Sequence, residues 1–504
     1  MSATEKSTLS NLLEIMEELN YLPGQNNLMT LLDYGKRKSM VNITDGEFKD
    51  YLKYESLQRF GAIAKDKDIR DAISICRHNY KIEHDTNVEM AVRVYYDKKN
   101  KRLYYDLTNN DMEYVVIDEK KGITIEKMDF DEDKDFIFIR SDTAKAQVKP
   151  INPKGNPLKG LDYLDDYLNL PDKAKFLYKI WLITSLNPEI RTPIPYFIGE
   201  AGTGKSSMIT ILNDFIDPST SPLSNWDSST NRDLAIAFKY RWNYNADNIS
   251  KITQKLSDLL CQTVTGGSMS FRRLFEDDTQ ISFDLRRRVT LSSVKELKLP
   301  SDLAQRILFF RPEKISNGSR ISEDEFLETY QEHKGEILYS VFETLRRAMA
   351  TFAEYKESHH TNYRLSSFYL FGELVAQIID EENGLELFHN FMREQIQQQL
   401  CWNTENDRKF YEVLLYILNG ASFPYEDSIK SLYEFIVENI EENEESPYEL
   451  EDFKIIPSYD SFSKTIHIYE EYLTILGYKV EYWHRGRNKE AMVTFTEINE
   501  EIPD

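Results

Sequence analysis

Residues Gly199-Glu200-Ala201-Gly202-Thr203-Gly204-Lys205-Ser206 spell G-x-x-x-x-G-K-S, and no other stretch constrains the chain as much. The apolar run at 194–198 precedes them and reads as a strand. Residues 207–216 follow, with apolar side chains at helical spacing. A strand, a glycine loop and a helix in that order aim backbone N–H groups and a helix N-terminus at one point, which suits a phosphate. Gly202 and Gly204 permit close backbone approach. The segment from Gly199 through Glu200, Ala201, Gly202, Thr203, Gly204, Lys205 and Ser206 to Ser207 is thus the expected nucleotide cradle. Lys205 is expected on the β- and γ-phosphates, and the Ser206 hydroxyl on Mg²⁺. The expected cofactors are ATP and Mg²⁺. Glu200 has no role of its own.

Such a loop needs a second carboxylate for the metal. Asp247, about forty residues on, is the candidate. The run leading to it is Trp242-Asn243-Tyr244-Asn245-Ala246, which is odd, because a buried parallel strand is normally apolar throughout. No glutamate follows Asp247. Asn248 can orient water but cannot accept its proton. Farther on, Val289-Thr290-Leu291-Ser292 reads as another core strand. Its polar end, Ser292 or Ser293, is expected near the γ-phosphate. Arg306, a short helix later, has the spacing of an arginine that reaches a neighbouring subunit's nucleotide.

Length and composition set the surroundings. The 504 residues should make about three or four domains. No apolar run approaches the roughly 18 residues that span a bilayer, so no membrane partner is expected. The N-terminus is polar and shows no secretory signal. Cys76, Cys261 and Cys401 lie far apart, which argues against a zinc site or a disulfide framework. A cytoplasmic location is the expectation.

The net charge of −23 is unusual for a protein that coats nucleic acid. The acid is concentrated at 129–133, 441–445 and the C-terminal tail. Basic clusters remain at Arg272-Arg273, at 286–288 and at 484–489. A ring can carry an acidic outside and a basic channel, so the charge lowers expected nonspecific binding without excluding DNA.

Four regions follow. Residues 1–150 hold a helical and irregular start and then short β-rich runs at 92–96, 103–107, 114–117 and 136–139. The Pro- and Gly-containing stretch 149–157 reads as a linker. Residues 158–320 form the P-loop core. Residues 321–420 read as a helical lid, with Phe326, Tyr330, Ile337, Val341 and Leu345 on one face. Residues 421–504 end in a helix that Gly477 stops, then two strand-like runs joined by a basic loop. That outline is winged-helix-like, with Arg485, Arg487 and Lys489 placed to contact the phosphates of duplex DNA.

Taken together, GEAGTGKSS at 199–207, the runs at 247–252 and 256–261, Thr265-Gly266-Gly267-Ser268, the segment 272–278 and 302–306 resemble a family of helicase-like AAA+ ATPases. These are carried by phages and mobile genetic islands, including the staphylococcal cassette and pathogenicity-island replication helicases. They are related to superfamily 3 and minichromosome-maintenance helicases. The resemblance covers residues 90 to 380 and, more loosely, the C-terminus. It implies an α/β fold with an AAA+ P-loop core, a small β-rich N-terminal collar, a helical lid and a C-terminal winged helix. It also implies a homo-oligomer, a hexameric ring with nucleotide between subunits. Asp247-Asn248 would be the Walker B pair and Arg306 the trans arginine. A hairpin at 268–284 would carry Arg272 and Arg273 to a single DNA strand in the channel. The polar strand and Ser292 depart from the family pattern and bear on hydrolysis rate more than on ATP binding.

The expectation is therefore an ATP-driven DNA helicase and replication initiator of a mobile element or phage. The rival is a nucleotide-regulated DNA-binding or assembly protein with little or no unwinding. A primase–helicase fusion is disfavoured, because residues 1–150 lack an evident cluster of metal-binding carboxylates.

Overall fold

The computed structural model describes residues 7–24, 27–34, 38–83, 89–128, 136–141, 143–226, 229, 231–272, 280–314, 323–361, 363–400, 422, 424–442, 462–463, 466, 473, 478–486 and 490–497. The fold is α/β. Its centre is a five-stranded parallel sheet in the order Ser224–Asn225, Asn243–Asp247, Arg288–Ser293, Ile194–Ile198, Ile307–Phe310. Ile194–Ile198 lies between two parallel neighbours and is buried along its whole length. That accounts for its uninterrupted apolar sequence. The helix Lys205–Ile216 leaves the sheet directly after the glycine loop. It buries Met208, Ile209, Ile211, Leu212, Phe215 and Ile216, the side expected from its spacing.

Helices Asp172–Ser185 and Glu323–Ser358 complete the surrounding layer. Tyr330, Ile337, Val341 and Leu345 are buried along the long helix, as their spacing predicts. It meets the short helix Gly160–Asp165 closely. A Cβ at Gly160 would stand 2.3 Å from the Glu336 carbonyl oxygen, and Ser340 Oγ accepts a 3.0 Å bond from the Gly160 N–H. Gly160–Asp165 and Asp172–Ser185 are two separate helices, and Pro171 stands at the N-cap of the second, where its missing N–H breaks no helix bond. Two further helices, Ser366–Ile379 and Gly384–Leu400, follow.

Residues 1–150 are more regular than their sequence suggests. Tyr21–Gly24, Asn27–Asp33 and Lys38–Asn42 form a three-stranded antiparallel sheet. With three helices it encloses a separate core around Leu12, Ile15, Leu32, Phe48, Leu52 and Ile69. The β-rich part gains a strand, Gly122–Lys127, in a four-stranded antiparallel sheet. This strand is half-buried at Gly122 and Ile123 and exposed beyond, and only two apolar residues, Ile123 and Ile125, alternate within it. Val94, Leu103, Tyr105 and Val115 of that sheet join the core of the parallel sheet.

At the C-terminus, Tyr478–Arg485 and Glu490–Glu497 pair antiparallel, with Tyr425–Ser428 added on the other edge. Residues Phe462, Ser463, Ile466 and Leu473 are helical. No described helix is long and apolar enough to cross a membrane.

Candidate functional site

The carboxyl end of the strand Ile194–Ile198 gathers most of the singled-out residues. Gly202 and Gly204 have φ of 86° and 71°, the left-handed region where a Cβ is costly. This turn lets the helix begin at Lys205, with its first N–H groups facing the loop. The buried Lys205 ammonium bridges the Gly199 and Glu200 carbonyl oxygens. Burial lowers its pKa from the ordinary lysine value, and the Asp247 carboxylate pulls the other way. Thr203 Oγ1 donates to the Glu200 carbonyl at 3.0 Å. From outside the loop, Asn169 Nδ2 donates to the Thr203 carbonyl at 2.9 Å and to the Glu313 carbonyl at 2.7 Å.

One residue on, Ser206 Oγ donates to Asp247 Oδ2 at 3.0 Å. Ser292, on the adjacent strand, donates its hydroxyl to Asp247 Oδ1 and accepts the Asn248 N–H at 3.0 Å. Asn248 is left-handed, φ 52°, a conformation asparagine tolerates better than most residues. Its backbone there is pinned by Ser292 and by the Ile249 N–H bond to the Ser292 carbonyl, 2.9 Å. The fold therefore brings Lys205, Ser206, Asp247, Asn248 and Ser292 to one place. Ser293 is engaged elsewhere: its hydroxyl lies 2.6 Å from Tyr196 OH and donates to the Lys295 carbonyl.

The donor set fits a magnesium–triphosphate. A loop with two left-handed glycines can approach an anion closely, Lys205 supplies the cation, and Ser206 and Asp247 present hard oxygens on one side. Among the described residues no group of three or more His, Cys, Asp or Glu could hold a metal. A divalent ion beside Ser206 and Asp247 would therefore take its remaining oxygens from a nucleotide and from water, the usual arrangement for Mg²⁺.

The polar strand has a physical explanation. Asn243 and Asn245 are buried and face Asn213 on the helix Lys205–Ile216. Asn213 Oδ1 accepts from Asn243 Nδ2 and from Asn245 Nδ2, both at 2.9 Å. Asn243 Nδ2 also reaches Asn245 Oδ1 at 3.0 Å, and Asn245 Nδ2 the Pro222 carbonyl at 2.8 Å. Asn213 Nδ2 donates to the Asp217 carbonyl at 2.8 Å. Buried amides paired this way avoid most of the desolvation penalty that would otherwise exclude them.

Arg306 lies elsewhere. Its carbonyl accepts the Ile194 N–H at 2.7 Å, which places it at the opposite end of the sheet from the loop. Its buried guanidinium pairs with Asp302 Oδ1 at 2.7 Å, and Arg364 shares that carboxylate at 2.5 Å. Within one chain Arg306 thus has an intramolecular partner and does not reach Lys205. Arg272 ends the strand Ser268–Arg272, which pairs antiparallel with Gln280–Asp284, so a hairpin is present there. Arg485 ends its strand and pairs with Glu490 at 3.0 Å. Arg273, Arg487 and Lys489 lie outside the described residues.

Three residues of this region carry no motif. Arg93, Asn213 and Asp217 are buried and linked by hydrogen bonds, yet their spacing in sequence signals nothing. Arg288, part of the basic cluster at 286–288 in the sequence, is fully buried and turned inward. Its guanidinium caps the carbonyls of Ser185, Asn187 and Ile190 at 2.7, 2.6 and 3.1 Å and lies over Trp242. Burial, with Arg286 and Arg287 nearby, pushes its pKa down to about 9. It remains charged at neutral pH, where it complements a helix C-terminus.

The site is thus a strand–loop–helix at the carboxyl edge of a parallel α/β sheet, backed by a serine, an aspartate and a second serine. Residues 164–393 match the family described as actinomycete integrative conjugative element replication protein. Over that stretch the chain is similar to such proteins, and the match supports a mobile-element replication protein as its class. No curated protein matches the chain. Solved structures with some likeness include an apo form of the NrS-1 C-terminal region, residues 305–718, at 13% identity and TM-score 0.38. It covers 98% of this chain and 100% of that one. Another is the A form of the same region, at 11% identity and TM-score 0.39, with the same coverage. Likenesses this low carry no inference about fold or activity here.

Proposed function

We propose that this chain is an ATP-driven DNA helicase and replication initiator of a mobile element, with an AAA+ core that works as a hexameric ring in the cytoplasm. The observation that carries the reading is the convergence of Lys205, Ser206, Asp247 and Ser292 on the glycine loop. ATP with Mg²⁺ supplies a phosphoanhydride bond whose hydrolysis can drive movement. The residues 199–207 bind the triphosphate through backbone N–H groups, and Lys205 offsets its charge. Ser206 and Asp247 hold the metal side. Asn248 orients water from its pinned left-handed position, and Ser292 fixes the Asp247 carboxylate. Arg306 would exchange Asp302 for the neighbouring subunit's nucleotide on ring closure. The hairpins carrying Arg272 and Arg273 grip a single strand, and a winged-helix-like C-terminal domain holds duplex DNA through Arg485, Arg487 and Lys489.

A second reading is favoured by one observation. The Ser292 hydroxyl is engaged by Asp247 and Asn248, and no general base follows Asp247 in sequence. A protein built this way could bind ATP as an assembly signal and turn it over slowly, without unwinding.

Hydrolysis with and without single-stranded DNA, on protein of measured ring size, separates the two. DNA-stimulated turnover and unwinding of a forked duplex are expected. Binding without turnover would leave the assembly reading.

The DNA-binding proposal has its own test. Replacing Arg485, Arg487 and Lys489 together is expected to weaken duplex binding. The slope of log affinity against log salt should fall by up to about 3, near one unit for each phosphate no longer neutralised. An unchanged slope would remove the wing from the binding surface.

A further inference from the structure

Arg93 is far from the glycine loop in sequence and carries no recognisable motif, yet it is among the most heavily bonded side chains near the core. It is left-handed, φ 61°, which for a residue with a Cβ costs on the order of 1 kcal/mol and persists only where surroundings enforce it. Its buried guanidinium donates to Asp217 Oδ1 at 2.8 Å, to the Asp106 carbonyl at 3.0 Å, to Thr108 Oγ1 at 2.6 Å and to the Pro218 carbonyl at 3.1 Å. Asp106 and Thr108 belong to the β-rich region. Asp217 and Pro218 follow the helix that begins at Lys205.

Asp217 is the junction. Its backbone N–H closes that helix on the Asn213 carbonyl at 2.7 Å. Its Oδ2 accepts the N–H groups of Trp242 and Asn243 at 2.8 and 3.2 Å, where the strand ending in Asp247 begins. One buried carboxylate therefore ties the far end of the Lys205 helix to the start of the Asp247 strand, and the Asn213 amide ties the same elements again. The near ends of those elements carry Ser206 and Asp247.

We propose that Arg93 is a positioning residue for the nucleotide site: by holding Asp217 it sets the register between the Lys205 helix and the Asp247 strand, and so lets the β-rich domain govern turnover. The inference rests on the functional reading above. Without the guanidinium, Asp217 is a buried charge with no counter-ion, which is strongly unfavourable. Its carboxylate is then drawn toward other partners, and that movement alters its hold on Trp242 and Asn243. An error of about 1 Å at a reacting centre can cost up to about a hundredfold in rate. Binding of the triphosphate by the loop backbone is local and is much less exposed to such a shift.

The test compares full-length Arg93→Gln and Arg93→Lys with the unaltered protein. The readouts are affinity for a fluorescent ATP analogue, steady-state kcat and KM, and amide exchange of the peptide containing Trp242 and Asn243. Arg93→Gln is expected to lower kcat about tenfold or more, with nucleotide affinity within about threefold, and to speed exchange in that peptide. Arg93→Lys keeps the charge, is expected to fold even if Arg93→Gln does not, and should recover much of kcat. Unchanged kcat and exchange in Arg93→Gln would overturn the proposal. So would equal losses of affinity and kcat that Lys does not relieve, which is what a merely structural role predicts. Failure of the unaltered protein to bind ATP would instead sink the functional reading, and this inference with it.

Discussion

Lys205→Ala is expected to reduce ATP turnover by at least about a hundredfold, the scale seen when one preorganised charge-stabilising group is removed. The geometry explains why no neighbour can substitute. The Lys205 ammonium is buried and directed at the loop carbonyls of Gly199 and Glu200, and among the described residues no other lysine or arginine is bonded to them. Lys314, the nearest cation by pairing, meets only the exposed Glu200 carboxylate, at 3.7 Å. The measurement is phosphate release alongside binding of a fluorescent ATP analogue, with ring size followed by light scattering. Turnover in Lys205→Ala equal to that of the unaltered protein would mean that hydrolysis occurs elsewhere or comes from a contaminant. The nucleotide-site reading would then fall.

Asn213→Leu is the second large effect, on stability. The substitution removes the acceptor shared by Asn243 Nδ2 and Asn245 Nδ2 and the donor to the Asp217 carbonyl. A buried polar group left unsatisfied costs about 1–3 kcal/mol. Each asparagine amide keeps one other partner, Asn245 Oδ1 or the Pro222 carbonyl. The expected loss is therefore about 2 to 3 kcal/mol, not the sum for three orphaned groups. Changing all three together, Asn213→Leu with Asn243→Val and Asn245→Val, should recover much of it, because no amide then remains to be satisfied. Asn243 Oδ1 is buried without a partner even in the native network, so the triple variant starts with one penalty already removed. Chemical denaturation of the three proteins decides the matter. A single variant as stable as the parent would show that the amides are not holding the strand to the helix.

The Asn213 cluster also shows where the sequence is readable and where it is not. Asn243 and Asn245 stand out as departures from an apolar strand, because strand burial makes a simple demand on each position. Their partner does not stand out. Asn213 sits inside a helix whose other inward residues are apolar, about thirty positions earlier, and hydrogen-bond pairing across that gap leaves no periodic trace. Ser292 is legible as a polar end to a core strand. That its hydroxyl binds Asp247 and the Asn248 N–H is not legible, since the direction of a hydroxyl depends on which groups the fold brings within about 3 Å. Arg306 is picked out by spacing alone, and spacing carries no information about Arg306 and Arg364 sharing the Asp302 carboxylate. The strand Gly122–Lys127 escapes notice because only two apolar residues, Ile123 and Ile125, alternate within it, too short a run to stand out.

What this sequence determined by itself was local and periodic: the glycine loop, the apolar strand before it and the amphipathic helix after it. The long helix from 323 was legible for the same reason. Those elements are dictated by backbone sterics and by burial, of every side chain in the central strand and of every third or fourth in the helices, both of which can be read within some ten residues. What only the tertiary structure decided was the pairing of groups distant in sequence. Asp247 joins Ser206 and Ser292, Asn213 joins two asparagines, and Arg93 joins Asp217, 124 positions away. A hydrogen bond or buried ion pair depends on distance and direction in space, and the chain sets those only once its layers have packed.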